Sequence, residues 1–86
     1  MTFQEVKAIM KQEGISELSY DILGTGSVRG YDGFVITKSK KGYDLHYMER
    51  GEKTFLAWFS SEHEASIAFL QEFIRSGDPQ LATYIQ

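Results

Sequence analysis

The chain reads as an α+β protein, an antiparallel four-stranded sheet flanked by N- and C-terminal helices in the order α-β-β-β-β-α, with a short C-terminal helix. Three observations predict this. Apolar residues recur at helical spacing only near the two ends of the chain. The strand-like runs follow one another between those helices instead of alternating with them, which is the α+β order. The turns at residues 39–42 and 50–51 are too short for parallel crossovers, so the sheet is expected to be antiparallel.

Residues 2–13 form the first predicted helix. Thr2 can accept from the amide three residues on and Glu5 can reach back, a capping box. Phe3, Val6, Ile9 and Met10 mark its apolar face, and Gly14 supplies the left-handed residue that ends it. Ile15 and Leu18 are expected to fold back onto that end. Residues 19–23 read as a short strand. Residues 24–33, with four glycines, are the longest irregular segment. Residues 34–37 are a strand rich in aromatic and β-branched side chains. Residues 43–49 are the next, with Tyr43, Leu45 and Tyr47 alternating onto one face and Asp44, His46 and Met48 onto the other.

Arg50 and Gly51 make the turn into the last strand, residues 53–59. Ser61 then caps the second helix, with Glu64 placed for a second capping box and Glu62 and Glu64 at the positive end of the helix dipole. Ala65, Ala68, Phe69, Leu70, Phe73 and Ile74 form its broad apolar face, and Gly77 ends it. Asp78 and Pro79 restart the chain as a cap and a first-turn proline, leading to a short helix or turn at residues 81–85.

Both helices are expected on one sheet face. The last strand is apolar at nearly every position from Phe55 to Phe59, more than one helical layer can cover. Either the C-terminal segment covers the remainder, the favoured expectation, or an apolar patch is left for a partner or a second copy.

Eighty-six residues make one domain, 1–86. A chain this short buries only about 60–65% of its unfolded surface, so a deep enclosed active site would be hard to build. With no cysteine, neither disulfides nor thiolate metal sites are available, and six Phe, five Tyr and one Trp must supply the packing. Nine Lys and Arg against twelve Asp and Glu give a net charge of −3, which disfavours binding by phosphate neutralisation. There is no membrane-length apolar run and no basic-then-apolar leader, so a cytoplasmic protein is the default expectation.

The chemical candidates are weak. Gly24, Gly26 and Gly30 have GxGxxxG spacing and lead into a strand, so no helix N-terminus meets a phosphate. His46 and His63 lack convergent partners for zinc. No serine sits in a nucleophile elbow. Asp44 and Glu49 could lie near one another, but nothing points to a shielded cleft. Lys38, Lys40 and Lys41 with Tyr43 and Tyr47 nearby make the best case for nucleic acid, which the net acidity opposes. No catalytic residue, cofactor or metal is therefore expected, and the chain is not expected to be an enzyme. The turn at Glu49, Arg50, Gly51 and Glu52 is the densest charge cluster. It is either a solvated hairpin tip or a protruding contact point where Arg50 can bond bidentately.

Residues 43–51 and 59–65, with Phe69 and Leu70, resemble small bacterial immunity proteins of polymorphic toxin systems. The shared pattern is an aromatic-x-aliphatic-x-Tyr strand, a Glu-Arg-Gly turn and a Phe-Ser-Ser-Glu-x-Glu-Ala helix start, and the likeness lies mainly over residues 43–74. Tyr43 and His46 depart from the common pattern. The resemblance implies neutralisation of a cognate toxin domain by direct binding, with no chemistry by the inhibitor. The partner contacts it suggests are Arg29, Tyr31 and Asp32 in the Gly-rich segment and Glu49, Arg50 and Glu52 at the hairpin tip. The alternatives are a structural or regulatory domain that homodimerises through an exposed sheet face, and a weak nucleic-acid binder.

Overall fold

The computed structural model describes residues 1–26 and 32–85. Helix α1 (Phe3–Gln12) opens with the full capping box: Glu5 N donates to Thr2 Oγ1 at 3.1 Å and Thr2 N to Glu5 Oε1 at 3.0 Å. It closes at Gly14 (φ +71°), where the Ile15 amide bonds back to the Met10 carbonyl at 3.0 Å. A 3-10 turn (Glu17–Ser19) leads into β1 (Tyr20–Ile22). Strands β2 (Thr25–Gly26), β3 (Gly33–Lys38), β4 (Tyr43–Glu49) and β5 (Glu52–Phe59) follow, then α2 (Glu62–Ser76) and a C-terminal 3-10 helix (Pro79–Tyr84).

The sheet order is β2-β1-β3-β4-β5, and it corrects the antiparallel expectation: β1 runs parallel to β3, pairing Tyr20 with Phe34 and Ile22 with Ile36. The sheet is mixed. The short turns behave as expected, since β3-β4 and β4-β5 are antiparallel. The segment after Ile22 is long enough to reverse direction twice. Leu23 and Gly24, both at positive φ, turn the chain into β2, a two-residue strand inside the Gly-rich segment that pairs antiparallel with β1. β3 runs in the same sense as β1.

α1 and α2 share one face of the sheet. Phe3, Val6 and Met10 from α1 and Ala65, Phe69, Leu70 and Phe73 from α2 are buried with Tyr20, Ile22, Phe34, Ile36 and Leu45 of the sheet. Tyr43 and Tyr47 pack against this cluster, so the alternation read in β4 holds. Edge-on aromatic contacts tie the layers: Phe3 on Tyr43 with centroids 5.0 Å apart, Tyr20 on Phe69 at 6.0 Å and Phe34 on Phe73 at 5.1 Å.

The two helix starts meet. Ser61 Oγ accepts from the Glu64 amide at 3.1 Å, which is half of the second expected capping box. Glu62, instead of staying within its own helix, takes the Phe3 amide at 2.6 Å. α2 ends as expected at Gly77 (φ +129°), where Asp78 N donates to Phe73 O at 3.0 Å. Asp78 precedes the proline but makes no side-chain capping bond.

The C-terminal 3-10 helix buries Leu81 in the helical layer and bonds Tyr84 to Glu13 at 2.7 Å. It therefore stays on the helix side, and the favoured expectation of internal cover for β5 is overturned. Phe55 is 57% exposed and Trp58 47%, both on the helix-free face, where they pair with His46 and Asp44.

Candidate protein-binding surface

The two β-hairpins send their turns to opposite ends of the sheet, and the charge follows them. At one end, residues 39–42 carry Lys40 and Lys41, and Lys38 lies over the Tyr43 ring at 4.7 Å. At the other end stand the residues that sequence reading singled out. Glu49 and Glu52 are directly opposed across β4 and β5. Gly33 pairs with Met48, so Asp32, the residue before β3, extends the same row beside Glu49. Asp32, Glu49 and Glu52 thus come from two different loops to one end of three adjacent strands. Arg50 stands at the tip between the last two. Arg29 and Tyr31 lie outside the described residues.

The tip itself is a tight two-residue turn. Arg50 and Gly51 have φ of +52° and +83°, the left-handed pair that a type I′ hairpin requires. Glycine adopts this freely; arginine does not, and holding it there costs about 1–2 kcal/mol.

Tyr47 lies where these loops meet the helix layer. Burial pushes its phenol above the ordinary value, and the neighbouring Asp32 and Glu49 carboxylates push it further. The ring packs on Phe34, centroids 5.1 Å apart. Around this pair the surface is hollowed. One depression of about 240 Å³ is walled by Asp32, Ser19, Ser76 and Asp78 over Phe34, Tyr47 and Phe73. A second, about 450 Å³, shares Phe34, Tyr47 and Ser76 with it and adds Glu49, Thr54, Leu56 and Glu72. A third reaches the tip through Glu49 and Thr54 to Arg50 and Glu52. Together they make one groove, running from the end of α2 to the tip of the last hairpin.

A β-bulge in β5 helps to shape it. Leu45 pairs with Ala57 and His46 with Phe55, so Leu56 has no partner on β4. The extra residue breaks the alternation, and Leu56, 40% exposed, lines the groove on the helix side while Phe55 stays on the far face. The same bulge kinks the open edge of the sheet, which discourages simple strand addition.

Sequence reading named Asp32, Glu49, Arg50 and Glu52, and all four line these depressions. It placed Tyr47 on the core face without seeing that its edge is open, and it missed Leu56, Glu72 and Asp78. The C-terminal glycine of α2 was legible. That the helix's last turn lies over the hairpin was not, because nothing local records how far a helix extends along a sheet.

The helix-free face offers one polar contact with a chemical look. His46 Nε2 lies 3.2 Å from Thr37 Oγ1, its ring is edge-on to Phe55 at 5.8 Å, and Asp44 is near enough to act on it electrostatically. The contact sits on an open sheet face, where it satisfies the ring nitrogen. Among the described residues, no group of three or more His, Cys, Asp or Glu could hold a metal ion. Nor is any described helix long and apolar enough to cross a membrane.

No family model, curated protein or solved structure matches the chain.

Proposed function

We propose that the chain is a non-enzymatic protein-binding module, a small bacterial immunity protein that neutralises a cognate toxin domain in the cytoplasm by direct binding. One observation carries the reading: Asp32 and the hairpin-tip residues Glu49, Arg50 and Glu52, far apart in sequence, lie together at one end of the sheet beside an open groove. Contacts placed on loops at the end of a rigid sheet suit recognition. The pattern over residues 43–74 supplies the toxin as the partner class. Arg29 and Tyr31 belong to the same proposed contact set.

The test is affinity capture from host lysate with the tagged chain, followed by growth assays. The expected result is one retained protein with a domain that arrests growth when expressed alone and is silenced by co-expression of this chain. Retention of nucleic acid with ribosomal proteins, or a retained domain that is harmless, sinks the reading.

A second reading, a structural or regulatory domain that homodimerises, is favoured by Phe55 and Trp58 exposed on the helix-free face. Trp58 is the sole tryptophan. Closing this face against a second copy would double the mass by light scattering and shift Trp58 emission to the blue as concentration rises. A constant monomer mass with unchanged emission removes it.

A further inference from the structure

We infer that the groove between the end of α2 and the last hairpin seats a lysine- or arginine-bearing segment of the partner protein. This rests on the reading of the chain as a protein binder and gives that partner its surface chemistry.

The groove has an apolar floor and an anionic rim. Phe34, Tyr47 and Leu56 form the floor. Glu49, Glu52 and Glu72 stand along its outer part, and Asp32 and Asp78 continue the rim. Among the described lining residues Arg50 is the one cation. Arg75, largely exposed, pairs with the rim carboxylate of Glu72 at 3.4 Å and offsets part of its charge, so the rim's anionic character rests mainly on Glu49, Glu52, Asp32 and Asp78. The C-terminal end of α2 adds the negative pole of its dipole. The chain's own lysine turn lies at the opposite end of the sheet.

Lysine and arginine are the side chains that match this combination. Their long aliphatic stems cover apolar surface while the charged head stays at the rim, and a guanidinium over the Tyr47 ring gains a cation–π contact. Glu49 and Glu52 oppose one another with like charge, so an incoming cation relieves a repulsion already present in the unbound chain. An acidic or neutral segment meets the same rim without that gain.

The test is a residue-resolved NMR titration of the full chain with a blocked hexa-arginine peptide, and with a hexa-glutamate peptide as control. Perturbations are expected at Tyr47, Glu49, Glu52, Thr54, Leu56 and Glu72, fading as salt is raised. Removing two exposed carboxylates in Glu49→Gln/Glu52→Gln should weaken the peptide about threefold to tenfold. Leu56→Ser should weaken it too, which a diffuse charge attraction does not predict. Glu64→Gln, at the far end of α2, should leave it unchanged.

Several outcomes overturn the inference: no binding, perturbations spread over all the carboxylates, or equal effects of the groove variants and Glu64→Gln. Dilution of the chain alone that moves the same amides also overturns it, because the lysine turn of a second copy is then the occupant. Failure here is separable from failure of the immunity reading. A captured toxin whose affinity is indifferent to Glu49→Gln/Glu52→Gln removes the groove and leaves the function. A localised peptide site with no captured toxin removes the function and leaves the groove.

Discussion

Glu49 and Glu52 face each other as the last cross-strand pair of the final hairpin, two carboxylates in direct opposition beside a turn. Like charges so placed destabilise a hairpin. The pair lies at the acidic end of the groove, so the cost to the hairpin and the proposed binding of a cation involve the same two side chains.

Replacing one member separates the two demands. Glu52→Lys turns the repulsion into an attraction and is expected to stabilise the fold by about 0.2–1 kcal/mol. It should also weaken capture of a cationic partner. Denaturation midpoint and partner affinity, measured on the same preparation, should move in opposite senses. A variant that gains stability and binds unchanged takes Glu52 out of the contact surface.

Arg50 holds a left-handed conformation that asparagine tolerates far better. Arg50→Asn is therefore expected to raise stability by about 1 kcal/mol, read from urea unfolding. If Arg50 makes a bidentate contact with the partner, the same variant loses affinity; equal affinity assigns the arginine to the turn alone.

Gly42 closes the β3-β4 turn against the end of β5. A Cβ built there would lie 2.1 Å from the Phe59 carbonyl oxygen, a backbone atom that cannot swing aside. Gly42→Ala should cost about 1–3 kcal/mol or more and separate β5 from the turn. A melting temperature within a degree of the parent would show that the two strands part easily. Trp58, whose indole donates to Ser39 Oγ at 3.1 Å across this turn, reports the change by fluorescence.

The pH dependence has a definite sign. Burial pushes the His46 imidazole below its ordinary value of 6.5, Lys53 adds to the depression and Asp44 opposes it. With the folded value below the unfolded one, its contribution is whole above 6.5 and is lost as pH falls through the folded value. On the alkaline side Tyr20, Tyr47 and Tyr84 are all raised, Tyr20 and Tyr47 chiefly by burial and Tyr84 chiefly by its bond to Glu13. Their contributions hold below 10 and fade as pH rises through the folded values. Urea midpoints of the parent chain should fall more steeply below pH 6.5 than those of His46→Gln. Parallel curves would assign the acid loss to other groups.

What the sequence determined by itself was everything set by near neighbours along the chain. The capping box at Thr2 and Glu5, the left-handed glycines 14 and 77, the turn at Arg50 and Gly51 and the alternation of Tyr43, Leu45 and Tyr47 follow from backbone sterics and a period of two or 3.6. So does the tip cluster at Glu49, Arg50 and Glu52, which needs only the hairpin to form.

Tertiary structure decided what depends on residues distant in sequence. Whether β1 pairs parallel or antiparallel with β3 turns on the route of the segment between them, and one extra reversal at Leu23 and Gly24 changes the answer. Whether β5 is covered turns on where the C-terminal segment docks. It docks on the helices, because Leu81 finds a closed pocket there, and so Phe55 and Trp58 stay open to solvent. The groove is of the same kind. Asp32, Tyr47, Leu56 and Glu72 line it only because two loops, a bulged strand and the C-terminal part of a helix meet at one end of the sheet. A local code specifies the direction in which each side chain leaves its own element; only packing sets which side chains from other elements it will meet.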